Sequence, residues 1–320
     1  MKNINNVLIC GIGAIGSIYA DKIQKFNPNS LRVLVDENRL KRYNKNPVVF
    51  NGVELNLKYI LPEDNNFKAD LIIIATKYDG LFEAVKNIRN FVHENTIILS
   101  LLNGVTSENI IADLYGRDKV LYSYFIGHST VRTGRYVSHD DVNKIVFGSE
   151  GAINNNVQSV MKYFKLVGIN YEVPSDIRRA LWSKYMLNIS SNQTSAILGM
   201  SFGEMYNNER CLAFMKKLMK EVELIAKAEG ISNTETMIDE VIEQIKMISP
   251  EGRTSMLQDV EAGRKTELEM FAGTVVELGK KHDIPTPYNQ VIKNIIEIIH
   301  ENQNNELNSK PQAGIIEVYS

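Results

Sequence analysis

The chain has 320 residues, of which 44% are hydrophobic and 23% are charged, and its formal net charge is −2. This is the composition of an ordinary globular protein with enough length for two domains. The balanced charge excludes an extended nucleic-acid or anionic-membrane face, and no apolar run is long enough to span a bilayer. The two cysteines, Cys10 and Cys211, lie far apart. They form neither a disulfide framework nor a metal-ligand spacing, so we expect a cytoplasmic protein with no metal site.

The first predicted strand, Val7–Cys10, leads directly into a Gly-x-Gly-x-x-Gly motif and then into an amphipathic helical pattern. A second strand ends just before Asp36, twenty residues beyond the last glycine. In that context the glycines predict a dinucleotide site: they allow a tight turn, close approach of a pyrophosphate and close packing of the helix. The predicted cofactor-binding residues of this loop are Gly11, Ile12, Gly13, Ala14, Ile15 and Gly16.

The first half of the chain alternates between strands and helices. After the first strand, apolar runs predict strands at Leu31–Val35, Leu71–Ala75, Ile97–Leu101 and Val120–Phe125, and helical patterns cover Leu81–Phe91 and Ser107–Leu114. Such alternation is typical of βαβ units and a parallel sheet. A hairpin near Arg132–Arg135 and runs at Ile145–Phe147 and Ile169–Val173 predict antiparallel edge strands.

From Ser175 onward only helical periodicity is present. We therefore predict an α/β protein with an N-terminal Rossmann-type doubly wound sheet in residues 1–174 and an all-α domain in residues 175–320. The polar tail from Asn304 has no periodicity, and we expect it to pack loosely. The predicted helices are Ile177–Gln193, Glu209–Glu229, Thr234–Met247, Ser255–His282 and Pro287–Asn302.

Several polar residues are candidates for a site in the cleft between the two halves, outside the carboxyl ends of the strands. Lys77 follows the third predicted parallel strand, and Asn103 follows the fourth. In the helical half Lys184, Asn188 and Asn192 recur at four-residue spacing and form one stripe. The alternative for this stripe is a solvated helix face.

Two further candidates lie later in the chain. Ser255 with Gln258 predicts a capping box that opens a long helix, and Glu267 follows on that helix. Because twelve helical residues span about 18 Å, Ser255 must lie in the preceding loop or turn back if both are to reach one small substrate. The alternatives are that Ser255 is only a cap and that Glu267 is an exposed acid paired with a neighbouring base.

Over nearly its whole length, the chain resembles the ketopantoate reductase (2-dehydropantoate 2-reductase) family. The resemblance rests on the order and spacing of several motifs rather than on any one of them. They are Gly11–Gly16, Asn103-Gly104, Trp182-Ser183-Lys184 with Asn188 and Asn192, Ser255–Asp259 through Gly263-Arg264 to Thr266-Glu267, and Gly279 with Ile284–Pro287.

The resemblance implies reduction of the 2-keto group of ketopantoate to pantoate, on the route to pantothenate and coenzyme A. It implies that Lys184 and Glu267 are catalytic and that Asn188, Asn192 and Ser255 hold the substrate, with Asn103 near Lys184 and the nicotinamide. The chemistry fits these residue types, since a cationic donor can stabilise and protonate the carbonyl oxygen as the hydride arrives.

Asp36 departs from the family pattern, because members that use NADPH commonly have an arginine at this point to bind the 2′-phosphate. We therefore expect NAD(P)H as cofactor with NADH slightly favoured, although Arg39, Lys41 and Arg42 could neutralise a phosphate. One alternative function is an NAD-linked reductase of another branched or aromatic 2-keto acid. A non-catalytic nucleotide sensor is another, although it would need neither Lys184 nor Glu267. An exposed apolar helix face would allow a homodimer.

Overall fold

The computed structural model describes Lys2–Gly127, Thr130–Asp140 and Val142–Ser309, and it divides into two compact units, Met1–Trp182 and Ser183–Ser320. The first unit is a mixed α/β domain, and the second is helical. In chain order the described strands are β1 Val7–Cys10, β2 Leu31–Leu34, β3 Val49–Phe50, β4 Val53–Glu54, β5 Tyr59–Ile60, β6 Leu71–Ile74, β7 Ile97–Ser100, β8 Val120–Gly127, β9 Val131–Thr133, β10 Tyr136–Ser138, β11 Asn143–Gly148 and β12 Tyr171–Glu172.

Eight of these strands form the main sheet, in the order β12-β11-β8-β7-β6-β1-β2-β5. The strands from β8 to β5 are parallel, as predicted, and β1, β6 and β7 are buried throughout. Near β1 the connections diverge to the two sides of the sheet, which is where doubly wound folds bind their ligands. The first-unit helices are α1 Ala14–Phe26, α2 Glu37–Lys45, α3 Leu81–Asn87, α4 Ser107–Tyr115 and α5 Asn155–Val167.

The predicted edge strands are only partly correct. β11 does extend the main sheet antiparallel to β8, but β12 pairs parallel with β11. The hairpin β9–β10 joins a second sheet of order β4-β3-β10-β9, because β10 pairs with β3 instead of with the main sheet. The partner hairpin β3–β4 turns at Asn51-Gly52, both with positive φ. An Asn-Gly pair between apolar residues is a strong hairpin signal that the sequence analysis did not use.

The second unit is built from helices. They are α6 Ile177–Leu198, which begins in the first unit, α7 Phe202–Asn207, α8 Glu209–Ala228, α9 Met237–Lys246, α10 Ser255–Glu261, α11 Thr274–Lys281 and α12 Pro287–Ser309. The prediction of one long helix over Ser255–His282 is wrong. The chain leaves α10 at Ala262-Gly263, where Gly263 has a φ of +63°, and a π-helical turn at Glu269–Gly273 leads into α11.

The last helix is longer than predicted, because α12 continues through Asn304 to Ser309. The remainder of the predicted loose tail lies outside the described residues. Among the described helices none is both long enough and apolar enough to cross a membrane.

Candidate functional site

The glycine-rich loop follows β1 at the carboxyl edge of the main sheet. Gly11 has a φ of +96°, and a Cβ there would lie 2.7 Å from the carbonyl oxygen of Ala75. A Cβ on Gly16 would lie 1.9 Å from the carbonyl oxygen of Gly11, so helix α1 packs directly on the loop. A Cβ on Gly13, by contrast, would meet nothing within 4 Å. Two glycines are therefore required by packing, and the third leaves an open approach to the backbone.

The open approach leads to the N-terminus of α1. Gly13 is its N-cap, no side chain caps it, and its first turn carries no acidic residue. A 13-residue helix whose first N–H groups have no side-chain cap, at the positive end of its dipole, is suited to a phosphate group. Cys10, just before the loop, is buried, which raises the pKa of its thiol.

The strand register brings the other predicted cofactor residues to the same edge. The last residues of β2, β1, β6 and β7 pair with one another across neighbouring strands: Leu34 with Cys10, Cys10 with Ile74, and Ile74 with Ser100. The residues that follow these strands, Asp36, Gly11, Lys77 and Asn103, are therefore all presented at this edge.

Asp36 has a structural role that the sequence analysis did not predict. It is the N-cap of α2: its Oδ1 accepts from the backbone N–H of Arg39 at 2.7 Å, while Oδ2 lies 2.9 Å from the Arg39 guanidinium. The side chain remains partly exposed, at 37%. A carboxylate accepts more bonds than these two, so Asp36 can still bind a ribose hydroxyl.

Thr76 tests whether this edge fits a dinucleotide. Its hydroxyl oxygen is buried at the end of β6 and has no hydrogen-bond partner among the described residues. A buried hydroxyl without a partner is costly, and a bound polar group would satisfy it. Together with the open backbone at Gly13, this orphaned hydroxyl fits a cofactor with phosphate and amide groups.

A buried polar network supports the turn that carries Asn103. Glu108, in the first turn of α4, accepts from the Ser107 hydroxyl at 3.0 Å and from the backbone N–H of Ser123 at 3.3 Å. Ser107 in turn accepts from the Ser100 hydroxyl at 2.8 Å, at the end of β7. Burial raises the pKa of Glu108 to about 7, although these hydrogen bonds and Arg117 oppose the shift. The network ties both ends of the Leu101–Thr106 turn to the sheet.

Glu108→Gln is expected to remove a pH dependence of stability. With a pKa of about 7 in the folded state and an ordinary value near 4.5, folded Glu108 retains a proton that the unfolded chain releases. Stability therefore falls as pH rises from about 5 to above 7, by roughly 3 kcal/mol in full. Urea unfolding should show the variant gaining stability over wild type between pH 5 and pH 8. The exposed Glu83→Gln is the control; a variant difference independent of pH would contradict the expectation.

In the second unit, the predicted polar stripe on α6 is not a solvated face. Asn188 and Asn192 are 4% and 7% exposed, and Asn192 Nδ2 donates to Asn188 Oδ1 at 3.1 Å. The helix between and beyond them is also buried, although it carries serine, glutamine and threonine side chains. A buried polar helix of this kind requires internal partners or a polar ligand.

Ser255 joins this pair because it is not the cap that the sequence predicted. Thr254 is the N-cap of α10, its hydroxyl accepting from the backbone N–H of Leu257 at 3.2 Å, and Gln258 donates to the Arg253 carbonyl instead. The Ser255 hydroxyl is thereby available, and it donates to Asn192 Oδ1 at 3.4 Å. The fold thus brings three of the predicted substrate residues, Asn188, Asn192 and Ser255, into one cluster.

The segment that carries Glu267 is fixed to α6 by its π-helical turn. Tyr185 donates its hydroxyl to the Phe271 carbonyl at 2.8 Å, and Gln193 Oε1 accepts from the Ala272 N–H at 3.0 Å. The carbonyl of Glu267 accepts from Met270 and Phe271, and its side chain is partly buried. π-Helical turns are rare and often occur at functional sites.

Lys184 lies one turn before Asn188, and it is only partly exposed. Neither a hydrogen bond nor an ion pair joins its ammonium group to Glu267 or to any other described residue. Burial lowers the pKa of Lys184. A desolvated lysine with no counter-charge is typical of a catalytic site, where pKa values are shifted toward working pH.

Three contributors to these sites were not predicted from the sequence: the orphaned hydroxyl of Thr76, the support from Glu108, and the anchoring of the π turn by Tyr185 and Gln193. Tyr185 and Gln193 each stand next to a residue of the predicted stripe, so neighbouring positions on α6 were the available signal. Among the described residues no group of His, Cys, Asp and Glu side chains could hold a metal ion.

Comparisons with known proteins agree with this architecture. The family model described as ketopantoate reductase PanE/ApbA matches residues 7–151, and its C-terminal counterpart matches residues 176–300. A 2-dehydropantoate 2-reductase of Aquifex aeolicus is 28% identical over 297 residues, which cover 90% of this chain and 95% of the relative.

Two solved structures share the fold. A D-mandelate dehydrogenase with NADH and anilino(oxo)acetate has a TM-score of 0.81 at 21% identity, covering 93% of this chain and 99% of the other. A dimeric ketopantoate reductase from Staphylococcus aureus has a TM-score of 0.74 at 20% identity, with the same coverage.

The glycine-rich loop, the sheet and the helical second unit define an oxidoreductase that depends on NAD(P). More particularly, because the two family models together match most of its length, the chain belongs to the ketopantoate reductase family.

Proposed function

We propose that the chain reduces the 2-keto group of 2-dehydropantoate to pantoate, a step toward pantothenate and coenzyme A. The observation that carries this proposal is the unpaired, desolvated Lys184 one turn before the buried Asn188, which forms a cluster with the buried Asn192 and the exposed Ser255. Amides and a hydroxyl give directional hydrogen bonds to a hydroxylated keto acid without adding charge. The curated Aquifex aeolicus relative supports the choice of substrate.

The roles of the chain's own residues follow from this chemistry. The reduced nicotinamide, when bound, supplies the hydride. Lys184 stabilises the negative charge that develops on the carbonyl oxygen and gives that oxygen a proton. Glu267 orients the nascent hydroxyl, and the amides of Asn188 and Asn192 with the hydroxyl of Ser255 hold the substrate. Lys77 and Asn103 contact the cofactor at the sheet edge, with Asn103 on the nicotinamide side.

A second candidate is an NAD-linked reductase of another branched or aromatic 2-keto acid. Asp36 favours it, and so does the likeness in fold to D-mandelate dehydrogenase. Oxidation of NADH and NADPH should therefore be measured across a panel of 2-keto acids that includes ketopantoate and phenylglyoxylate. We expect turnover only with a 2-keto acid, with kcat/KM highest for ketopantoate. A higher value for phenylglyoxylate would support the second candidate, and cofactor binding without turnover would support a sensor.

We further propose that NADH is preferred to NADPH, because the Asp36 carboxylate stands where a 2′-phosphate would lie. Arg39 is already paired with Asp36, which limits its use as a phosphate ligand. Asp36→Asn separates charge from helix capping, since asparagine also caps a helix but carries no charge. We expect it to raise kcat/KM for NADPH relative to NADH by about tenfold, the effect of removing one unfavourable contact of 1.4 kcal/mol. A wild type that favours NADPH, with this ratio unchanged in the variant, would contradict the proposal.

We also propose a homodimer that pairs an apolar stripe on α12. Tyr288, Val291, Ile295 and Ile298 recur at three- and four-residue spacing and are 36–54% exposed, while Ile292 and Ile296, on the adjacent face, are buried. A continuous exposed apolar stripe is typical of an interface. The ketopantoate reductase from Staphylococcus aureus is described as dimeric, which supports a dimeric state.

The stripe gives a direct test. Ile298→Lys should convert a particle of twice 36.2 kDa into one of 36.2 kDa in sedimentation equilibrium, because a lysine buried in an apolar interface loses its hydration. Ile153→Lys, at an isolated isoleucine of similar exposure in the first unit, should leave the mass unchanged. A wild-type monomer, or a dimer insensitive to Ile298→Lys, would overturn the assignment.

A further inference from the structure

Arg132, in β9, contacts the glycine-rich loop through its guanidinium. Its Nη1 donates to the carbonyl of Ile12, between Gly11 and Gly13, and its Nε donates to the Gly134 carbonyl at 2.9 Å. Because a guanidinium has five N–H groups, three of them have no protein partner among the described residues. The side chain is partly buried, and no described carboxylate forms an ion pair with it.

The hairpin that carries Arg132 is held firmly at this position. β10 pairs with β3, and Asn51 at the β3–β4 turn exchanges two hydrogen bonds with the backbone of His139, at 2.9 and 3.0 Å. Val137 is buried in the core of the first unit, and β10 packs against α1. The chain therefore maintains a partly desolvated positive charge beside the open N-terminus of α1, at the cost of desolvating a cation that lacks a protein counter-ion.

We propose that Arg132 binds the pyrophosphate of the dinucleotide, together with the backbone N–H groups at the start of α1. A planar guanidinium with several unused donors matches two phosphate oxygens, and an anion there supplies the missing counter-charge. The contact is with Ile12 in the loop, whereas Asp36 and its partner Arg39 occupy the end of β2 where the adenosine ribose lies. This arrangement favours the pyrophosphate over a 2′-phosphate as the group that Arg132 meets.

The proposal is tested by equilibrium binding, which does not depend on the choice of keto acid. Dissociation constants of NADH, NADPH and ADP-ribose are measured by calorimetry for wild type, Arg132→Ala and Arg132→Lys, and adenosine is measured by ligand-observed NMR. Loss of charge-assisted hydrogen bonds should raise the dissociation constants of all three phosphate ligands about 10- to 100-fold in Arg132→Ala, and by less in Arg132→Lys. Adenosine binding should change less than about twofold, since adenosine carries no phosphate.

Arg135→Ala is the matched control, because Arg135 lies in the same hairpin, loses the same charge and is paired with Glu54 at 3.1 Å. It should leave all four dissociation constants near wild type, and thermal unfolding should show that each variant is folded. Weaker binding of NADPH alone would indicate that Arg132 binds a 2′-phosphate and would overturn the proposal. Unchanged binding of the phosphate ligands would overturn it as well, and so would a loss of adenosine affinity equal to that of the phosphate ligands.

Discussion

Lys184→Ala should lower kcat by roughly 10²–10⁴-fold, the range for losing a positioned proton donor. The expectation follows from an ammonium group that burial desolvates and that no described residue pairs. The dissociation constant of the cofactor should change far less, because the glycine-rich loop belongs to the other unit. Lys184→Met retains the volume of the side chain and should behave like the alanine variant, which separates loss of the proton from loss of packing.

The pH dependence of the wild type gives an independent check on Lys184. A donor must be protonated, and burial lowers the pKa of this lysine from its ordinary 10.5. In the wild type kcat should therefore fall with rising pH, with an apparent pKa below 10.5. This decrease at high pH should be absent from the residual activity of Lys184→Ala. Lys227→Ala, at an exposed lysine of α8, is the control. Near-normal kcat in Lys184→Ala would remove the lysine from the reaction.

Glu267→Gln should lower kcat/KM by about 10²-fold or more, with both a lower kcat and a higher KM, because it removes the acid that we propose orients the nascent hydroxyl. The substitution preserves side-chain volume, and the π turn remains anchored through Tyr185 and Gln193. The effect should therefore appear in kinetics and not in thermal stability.

Glu269→Gln is the matched control for Glu267, because Glu269 lies two residues later, is exposed and is paired with Lys293 at 3.0 Å. A surface pair of that kind contributes little, so its loss should change kcat/KM less than about twofold. If Glu267→Gln matched Glu269→Gln, Glu267 would be an ordinary surface acid and the proposed role would fail.

The fold of the first unit follows from patterns that are local in sequence. The apolar runs that predict β1, β6 and β7 end within a residue of the strands, and the glycine spacing predicts the loop correctly. The partner of the β9–β10 hairpin was not predictable in the same way. Its pairing with β3 joins residues more than eighty positions apart, and such pairings leave no periodic signal in one sequence.

Those parts of the candidate site that depend on residue type and spacing were predictable from the sequence. Those that depend on which helix face is buried, or on which of two adjacent residues caps a helix, were not. Four-residue spacing placed Asn188 and Asn192 on one face of α6, but only the structure distinguishes a buried face from a solvated one. Thr254 and Ser255 both suit an N-cap, and the sequence analysis assigned the cap to the wrong one. The break at Gly263 was missed because apolar periodicity resumes on the same phase beyond it.

Hydride transfer to the keto carbon of ketopantoate is the central step of the proposed reaction, and product labelling measures this transfer directly. NADH that carries deuterium at both C4 positions is incubated with ketopantoate and the enzyme, and pantoate is analysed by mass spectrometry. We expect the wild type to form pantoate with one deuterium at C2, and Lys184→Ala to form it far more slowly. Oxidation or binding of the cofactor with no labelled pantoate would contradict the proposed reaction.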